Sequence, residues 1–485
     1  MKKKSLVVSY NDLEDDIAKP YFLFKVLEES SFESIFLINN SQRKKEFLKL
    51  YKANYILLKK IQLINLLYLI IGFFVSFLPS YKIKKKYEDI AFKSFCISAR
   101  HRVGGISLIS PVKLYLIKAR YFLMKITTIG FLFCRISIHK NVENVVLDER
   151  HKLPESLIFY IALTNNIPVI QYTRGPYKNS IGVKKLTNSN WWHHPLSDTK
   201  AIFSKNIDDS QFPEDWEELL IQEFEKRYKE NHWYDRDLTV GNKNIDSFES
   251  LFKEKKEDYA LIVPHIMWDA TFSYGENIFQ DYLSWLIKVL ELAAEVDLKF
   301  FCKLHPDLIW KSHRIEKGFD HLTFIDSKIE DLGANNIQIL PPETNISPLS
   351  LIQNSRTVLT VRGTAGLEAA CYGVPVLTGG SGRYSSFGFT VDSNSIQEFE
   401  SNFKKIKEFS VLNDSQINTA RKLAYRIFFQ KPLILDSINL SRDLSRDMSM
   451  EEFSKSFNPY RFNMDFNNYN FTNLFKNDEY DIYSK

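Results

Sequence analysis

Hydrophobic and polar positions along the chain follow two alternating patterns. Short continuous apolar runs, typical of buried strands, are separated by longer runs in which apolar residues recur at helical spacing. In the N-terminal half this predicts strands at 6–9, 34–38, 142–147 and 167–172, and helices at 47–78, 114–138 and 157–164. The pattern restarts with strands at 259–264, 299–303, 337–340, 358–361 and 374–377, and helices at 279–294, 346–354 and 367–372. Such alternation predicts an α/β protein with two doubly wound, Rossmann-like domains.

Changes in this pattern divide the chain into four predicted parts. Residues 1–206 form the first α/β domain and residues 258–394 the second. Residues 207–257 are a charged connector, and residues 395–485 are C-terminal helices followed by a tail rich in Asn, Phe and Tyr. The sequence leaves open whether this tail packs on the rest of the chain.

One apolar segment, 61–78, is flanked by lysines on both sides. Its 18 residues are at the lower limit for a helix that spans a membrane, and the flanking lysines give no orientation bias. We expect a helix that docks on the membrane surface, with a buried core helix and a true span as alternatives.

Composition restricts the class of protein. The 485 residues are 44% hydrophobic and 25% charged, which is ordinary for a globular protein. A net charge of +5 is too mild to indicate nucleic-acid binding, but it suits contact with anionic lipid. The four scattered cysteines predict buried, reduced thiols. We therefore expect a cytoplasmic protein attached to the inner face of the cell membrane.

The segment 358–372 carries the strongest chemical signal. It is predicted to form a strand, a glycine turn and the start of a helix, a combination that presents backbone N–H groups and a positive helix end to a phosphate. Glu368 follows in the first helical turn, where its carboxylate can bind sugar or ribose hydroxyls. This arrangement predicts a nucleotide-sugar site. The backbone of four residues is expected to contact the ligand: Gly363, Thr364, Ala365 and Gly366.

Polar residues at other predicted strand ends complete the candidate site. Asp269 could attack an anomeric carbon or stabilise an oxocarbenium ion, although an aspartate there could also cap the next helix. Lys303 and His305 could contact the phosphate of the sugar donor, and Arg383 could pair with a carboxylate or phosphate. The alternatives are a backbone-bonded histidine, a solvated lysine and an exposed loop arginine.

The first domain offers a second set of candidates. Asp148 and Glu149 close a predicted strand and are candidates for a general acid or base, and Arg174 could hold a charged acceptor. Neither a metal nor a cofactor is expected. Asp235 and Asp237 lie in the charged connector, and adjacent histidines at 193 and 194 lack partners at ligand spacing.

Four ordered motifs between 259 and 392 resemble the capsule polysaccharide biosynthesis family, whose members include bacterial β-Kdo transferases. The motifs are VPHIMWDAT at 263–271, KLHPD at 303–307, GTAGLEAA at 363–370 and GRYSSFGFTVD at 382–392. The resemblance implies a GT-B fold, a nucleotide-activated sugar donor held by the second domain, and a saccharide or lipid-linked acceptor. It also implies that Asp269 is the nucleophile and that Tyr384 lies in the donor site.

The motifs also depart from common patterns. Many retaining GT-B enzymes carry a glutamate eight residues before Glu368, whereas position 360 is threonine, which favours a CMP-linked donor such as CMP-Kdo. The middle of the last motif differs from the family pattern, so the identity of the sugar donor stays open. Two alternative functions also remain: a UDP-sugar 2-epimerase, and a non-catalytic scaffold in a polysaccharide assembly complex.

Overall fold

The protein is described by a computed structural model. The described residues are 3–10, 17–57, 66–97, 104–138, 142–148, 150–177, 179–208, 210, 212–229, 251, 258–306, 308, 319–344, 346–438, 449, 451, 454–476 and 479–484. The chain divides into two compact units. The first comprises Met1–Cys96, Ser110–Ser197 and Gln430–Lys485, and the second comprises Ile97–Ile109 and Asp198–Phe429.

The first unit contains a seven-stranded sheet. Its strands are β1 (Lys3–Ser9), β2 (Phe32–Ile38), β3 (Tyr55–Leu57), β4 (Asn144–Leu147), β5 (Val169–Arg174), β6 (Ser180–Leu186) and β12 (Leu433–Ile434). Its helices are α1 (Ala18–Glu29), α2 (Gln42–Leu50), α3 (Leu66–Val75), α4 (Lys85–Ile97), α5 (Pro111–Phe131), α6 (Glu155–Thr164) and, near the C-terminus, α15 (Pro459–Tyr469).

The strand order in this sheet is β12-β6-β5-β4-β1-β2-β3. Strands β1 to β5 are parallel, while β6 and β12 are antiparallel to their neighbours. Because the order reverses between β1 and β4, the carboxyl ends of these two strands mark the place where such sheets bind ligands.

The second unit contains a five-stranded, all-parallel sheet. Its strands are β7 (Tyr259–Ile262), β8 (Lys299–Lys303), β9 (Ile337–Leu340), β10 (Thr357–Thr360) and β11 (Val376–Thr378). Its helices are α7 (Thr199–Ser204), α8 (Trp216–Lys229), α9 (Tyr282–Ala294), α10 (His321–Leu332), α11 (Pro348–Gln353), α12 (Thr364–Cys371), α13 (Ile396–Lys404) and α14 (Asp414–Tyr425).

This sheet has the order β11-β10-β7-β8-β9, so its reversal lies between β7 and β10. All four residues of each of these two strands are buried, as expected for parallel strands covered by helices on both faces. Helix α9 packs one apolar side against the sheet and buries Trp285, Leu286 and Val289. The core therefore fixes the two strands whose carboxyl ends carry the candidate site.

The predicted fold class, GT-B-like with two doubly wound Rossmann-like domains and a C-terminal helical segment, is confirmed. The differences from the sequence prediction are local. The predicted helix 47–78 contains the short strand β3, and the antiparallel strands β6 and β12 were not predicted. Of the four cysteines, Cys134 is exposed and the other three are buried, so the expectation of four buried thiols is wrong at this position.

The predicted C-terminal part, 395–485, is divided between the units. Helices α13 and α14 belong to the second unit, and the chain from Gln430 onward belongs to the first. Here Phe462 and Phe471 pack against Phe22 of α1, with ring centroids 5.3 and 5.1 Å away. The aromatic residues of the tail are therefore part of the core of the first unit.

No single helix in the described part of the chain is long and apolar enough to cross a membrane. One bent pair, Leu66–Val75 with Pro79–Ile97, reaches that length and composition only across a bend of 115°. Residues 61–65 of the predicted apolar segment lie outside the described residues, as does most of the predicted connector. Membrane attachment therefore stays a prediction.

Candidate functional site

The candidate site lies at the reversal point of the second unit's sheet. The loop after β7 carries His265, and the residue two positions after β10 is Arg362. The two loops are joined directly, because the backbone N–H of Arg362 donates to Nε2 of His265 at 3.2 Å. We define the Arg362 site as His265, Tyr282, Arg362, Gly363 and Tyr384.

Arg362 is the central charge of this site. Its side chain is 8% exposed, and Nη2 donates to the carbonyl oxygen of Glu276 at 3.1 Å and to Oδ1 of Asn277. Among the described residues, Nε and Nη1 have no hydrogen-bond partner. Burial lowers the pKa of the guanidinium, which still remains protonated at neutral pH. A buried cation with unpaired donors is unfavourable, so this position favours an anionic ligand.

His265 is held as a neutral imidazole. Its ring stacks on Tyr282 with centroids 4.4 Å apart. Desolvation, assisted by the positive charge of Arg362 and opposed by Asp269, lowers the pKa of His265 to about 3. Since Nε2 accepts the N–H of Arg362, the proton of the neutral ring is assigned to Nδ1. His265 therefore positions the backbone of Arg362 without adding a second positive charge.

Helix α12 begins at Thr364, directly after Gly363. No side chain caps this end, and the N–H of Gly366 donates to the carbonyl oxygen of Gly363 at 3.0 Å, so the N–H groups of Thr364 and Ala365 are the ones available to a ligand. The hydroxyl of Tyr384 donates to the carbonyl oxygen of Gly363 at 2.7 Å. A Cβ at position 366 would come within 2.5 Å of that hydroxyl oxygen, which explains the glycine there. The turn is thus fixed by Tyr384, and the N–H groups of Thr364 and Ala365 stay open to a ligand.

The glycine loop 379–382 packs closely around Arg362. The glycines at 379, 380 and 382 face protein atoms, and a Cβ at position 382 would lie 2.8 Å from Cβ of Arg362. Ser381 pairs with Glu276 through backbone and side-chain hydrogen bonds of 2.8 Å. This loop encloses Arg362 and holds the carbonyl oxygen of Glu276 that accepts from it.

Asp269 lies in the loop after β7, with its side chain exposed. Its carboxylate is close enough to Tyr282 and His265 to raise the pKa of both groups. Asp281, not Asp269, accepts the capping N–H of α9, so the capping alternative is wrong. The catalytic role of Asp269 stays a prediction.

Lys303 and His305 lie at the carboxyl end of the neighbouring strand β8. Lys303 is buried, and its ammonium group donates to the carbonyl oxygens of Pro341 at 2.8 Å and of Leu304 and Pro342 at longer range. The lysine therefore holds the loop after β9, so the alternative of a solvated lysine is wrong. His305 is partly buried. Contact of either residue with a sugar donor stays a prediction.

The other predicted residues of the second unit are near the Arg362 site. Thr364 and Ala365 open α12 and are partly exposed, while Gly366 and Glu368 are buried. The Glu368 side chain is 0% exposed, so its carboxylate does not lie at the surface of the site. Arg383 is partly buried and precedes Tyr384 in the loop after β11. Ligand binding by these side chains stays a prediction.

In the first unit, Asp148 directly follows β4 at the reversal point of that sheet. Its carbonyl oxygen accepts from Nε2 of Gln171 at 2.7 Å, which fixes the backbone at the strand end. Arg174 is exposed at the end of β5, the strand next to β4. Glu149 lies outside the described residues. The roles of all three residues stay predictions.

Sequence reasoning missed Arg362 and His265. His265 lies inside the motif 263–271, four residues before Asp269, and Arg362 immediately precedes the motif 363–370. A signal was available, because a charged residue that continues an apolar strand such as 357–361 must find a partner when the fold buries it. The sequence did not indicate that the two residues lie side by side.

A cavity of about 600 Å³ occurs at the opposite edge of the same sheet. It is lined by residues at the amino ends of the strands, including Asp258, Lys299 and Arg356. An exposed ion pair of 3.2 Å joins Asp258 to Arg356 there. Because doubly wound sheets bind their ligands at the carboxyl edge, we place the candidate site at Arg362 and not in this cavity.

Among the residues that the structure describes, no group of three or more His, Cys, Asp or Glu side chains could hold a metal ion. Asp235 and Asp237 of the connector are outside that set. Reaction without a metal therefore stays a prediction.

Among the solved structures to which the chain is similar are two Kdo transferases and an epimerase. The beta Kdo 2,7 transferase KpsC of Thermosulfurimonas dismutans has a TM-score of 0.36 at 12% identity, covering 93% of this chain and 97% of that chain. The beta Kdo 2,4 transferase KpsC of the same organism has a TM-score of 0.33 at 10% identity, covering 61% and 83%.

The third structure is the UDP-GlcNAc 2-epimerase of Neisseria meningitidis. Its TM-score is 0.28 at 13% identity, covering 87% of this chain and 98% of that chain. All three TM-scores are below 0.5, so these similarities carry no argument about function. No curated protein sequence matches the chain.

A family model gives the firmer assignment. The model of the capsule polysaccharide biosynthesis protein matches residues 207–424, a range that contains the whole sheet of the second unit and the Arg362 site. The family resemblance inferred from the four motifs is confirmed. Residues 207–424, somewhat less than half of the chain, are thus similar to the capsule polysaccharide biosynthesis protein family.

Proposed function

We propose that this protein is a glycosyltransferase that transfers a sugar from a nucleotide-activated donor to a saccharide or lipid-linked acceptor during synthesis of a surface polysaccharide. The observation that carries the proposal is the buried guanidinium of Arg362, whose Nε and Nη1 lack partners among the described residues. Arg362 lies two residues after β10 and directly before Gly363, the residue at the N-terminus of α12 that no side chain caps.

This combination fits the phosphate of a nucleotide sugar. The guanidinium offers two N–H groups to phosphate oxygens, and the helix N-terminus offers backbone N–H groups and a partial positive charge. The same positive groups stabilise the charge that develops on the leaving phosphate when the glycosidic bond breaks. His265 is neutral and adds no positive charge to that of Arg362 and the helix end.

Asp269 supplies the reacting carboxylate in the proposed mechanism. One carboxylate oxygen forms a bond to the anomeric carbon as the bond to the phosphate oxygen breaks, and the nucleotide leaves with both electrons. An acceptor hydroxyl then displaces Asp269, and its proton passes to a general base. The two displacements together retain the anomeric configuration.

A CMP-linked sugar acid such as CMP-Kdo is the donor that we favour. It carries a phosphate and a carboxylate, and both are anions that a guanidinium binds in a bidentate manner. Thr360 occupies the position where many enzymes of this fold that use UDP- or GDP-sugars have a glutamate. The side chain of Thr360 is buried and its Oγ1 accepts from the N–H of Gly363 at 3.3 Å.

The test is nucleotide binding by the purified full chain, measured as the thermal shift with CMP, CDP, UDP, GDP and dTDP. Ligand binding to the native state raises its apparent stability. We expect a shift with CMP, and we expect Arg362→Met to weaken binding by about 10- to 100-fold, because one or two charge-assisted hydrogen bonds are lost. Arg356→Met removes an arginine from the other edge of the same sheet and should keep the shift.

The outcomes separate the rival functions. A shift with UDP or GDP alone would retain the glycosyltransferase and reject the CMP-linked donor. Conversion of a free UDP-sugar without an acceptor would identify an epimerase. Nucleotide binding without sugar transfer to any acceptor in a panel would favour a non-catalytic scaffold. If no nucleotide shifts the wild type, or if Arg362→Met binds as tightly as the wild type, the proposal is wrong.

A further inference from the structure

Two helices of the first unit expose an unusual amount of apolar surface. On α3 and the turn after it, Phe74 and Phe77 are each 68% exposed. On α5 the most exposed apolar side chains are Val112 and Tyr115. We define the two-helix surface by its exposed apolar residues, which are Leu66, Leu67, Ile70, Phe73, Phe74, Phe77, Leu78, Val112, Tyr115, Leu116, Phe122 and Leu123. A monomer that stays in water rarely presents so many large apolar side chains together.

The two helices form one packed body. A Cβ at Gly72 would lie 1.9 Å from the carbonyl oxygen of Ile126, and a Cβ at Gly130 would lie 1.9 Å from that of Tyr68. Only glycine permits this approach of one backbone to the other. The ring of Tyr68 also packs edge-on against Phe131 at 5.7 Å. The two-helix surface is therefore held on a rigid support.

The contact pattern gives the direction of the helices. Tyr68 lies against Gly130 and Gly72 lies against Ile126, so α3 and α5 run antiparallel. Because both helices rise by the same distance per residue, residues 73–78 lie alongside the part of α5 that carries Phe122 and Leu123. The exposed phenylalanines of both helices thus belong to one surface.

The charge around this surface is strongly positive. Residues 66–97 and 110–136 contain ten Lys and Arg but only two acidic residues, Glu88 and Asp89. Glu88 is paired with Lys125. Exposed basic side chains follow α3 and recur along the N-terminal half of α5, at Lys82, Lys84, Lys85, Lys86, Lys113, Lys118 and Arg120. Apolar side chains bordered by lysines are typical of elements that lie in an anionic lipid interface.

We propose that the two-helix surface inserts into one leaflet of an anionic bilayer, with the lysines bound to the lipid headgroups. Over its described residues, Leu66–Val75, helix α3 is about 15 Å long, half the thickness of the hydrocarbon core, which favours a position in the interface over a crossing. This inference does not depend on the Arg362 site or on the proposed reaction.

The test is flotation of the full chain with vesicles of phosphatidylcholine and phosphatidylglycerol in a ratio of about 7:3. We expect co-flotation that weakens with added salt and is much lower with phosphatidylcholine alone. The triple variant Phe73→Ser, Phe74→Ser, Phe77→Ser should lower the partition between vesicles and water at least tenfold. The loss of even one of these apolar side chains from the lipid would have roughly that effect. A second triple variant, Lys84→Glu, Lys85→Glu, Lys86→Glu, should abolish the preference for vesicles that contain phosphatidylglycerol.

A matched control removes exposed apolar groups elsewhere. Val411 and Tyr460 are 77% and 94% exposed, so the double variant Val411→Ser, Tyr460→Ser should float as the wild type does. Because all the altered side chains are exposed, the variants are expected to fold. The proposal is overturned if the wild type does not float, or if the triple variant floats equally well. It is also overturned if the triple variant changes only the oligomeric state, which would assign the surface to a second copy of this chain.

Discussion

Arg362 illustrates how one buried side chain defines the chemistry of a site. Its Nη2 donates hydrogen bonds to Glu276 and Asn277, whereas Nε and Nη1 have no hydrogen-bond partner among the described residues. Leaving a charged donor unpaired in a buried position is destabilising, and it is tolerated where function requires it. The loops that enclose Arg362 are fixed by hydrogen bonds between Glu276 and Ser381, so the guanidinium is held in place before a ligand arrives.

At the same scale, the role of Asp269 in the reaction can be tested independently of donor binding. We predict that Asp269→Ala lowers sugar transfer at least about 1,000-fold, because no other group replaces the attacking carboxylate. The thermal shift with nucleotide should remain, since Arg362 and the α12 N-terminus are unchanged.

The control for that experiment is Glu276→Gln. Its side chain is exposed in the same segment, and its contacts with Arg362 and Ser381 are made by the backbone. Activity within about twofold of the wild type is expected. Retained transfer in Asp269→Ala would remove Asp269 from the mechanism, whereas loss of the nucleotide shift as well would indicate a structural defect.

At the scale of elements, strand β6 shows how a distant segment completes the first sheet. All seven residues of β6 are buried, including Lys184. The ammonium groups of Lys184 and Lys431 both pair with the carboxylate of Asp481 near the C-terminus. The two positive charges outweigh the desolvation of Asp481 and lower the pKa of its carboxyl group. The C-terminal tail therefore supplies the negative charge that neutralises Lys184 in β6, nearly three hundred residues earlier.

We predict that Asp481→Asn destabilises the protein by about 3–5 kcal/mol, because two buried ammonium groups lose their counter-charge. The measurement is the free energy of unfolding from urea titration of the full chain. Asp436→Asn is the matched control. Asp436 and its partner Arg461 are both 57% exposed, so the expected change is within about 0.5 kcal/mol. Equal effects of the two substitutions would show that the buried ion pairs do not hold the tail.

At the scale of the whole molecule, two neutral histidines make stability depend on pH. Burial lowers the pKa of His265 to about 3 and that of His321 to about 4. His321 accepts the N–H of Met267 at 3.2 Å, so both histidines hold the loop after β7. In the unfolded chain both imidazoles take up a proton below about pH 6.5, whereas in the folded protein they do not.

Unfolding therefore binds protons between about pH 6.5 and 4, and the free energy of unfolding should fall as the pH is lowered through this range. We predict that the double variant His265→Gln, His321→Gln shows a flatter profile. The comparison uses the slope of the melting temperature against pH, because the variant also loses hydrogen bonds and starts from a lower value. Parallel profiles for the two proteins would contradict the assignment of neutral histidines.

The sequence alone determined the class of fold and the segments of the chain that carry the candidate site. Continuous apolar runs of four to seven residues separated by amphipathic helices indicate buried parallel strands, since both faces of such strands are covered. The glycine turn after β10 and the polar residues after β7, β8 and β11 were predicted because strand ends and turns have local signals. Those signals depend on residues close together in the sequence.

The tertiary structure decided which of those residues meet. The pairing of His265 with Arg362 follows from the order in which β7 and β10 join the sheet, and no local pattern records that order. The burial of Lys184 depends on Asp481, and the packing of α3 on α5 depends on two glycines 58 positions apart, at 72 and 130. Each of these contacts joins distant parts of the chain, so its energy exists only once the fold has brought both partners together.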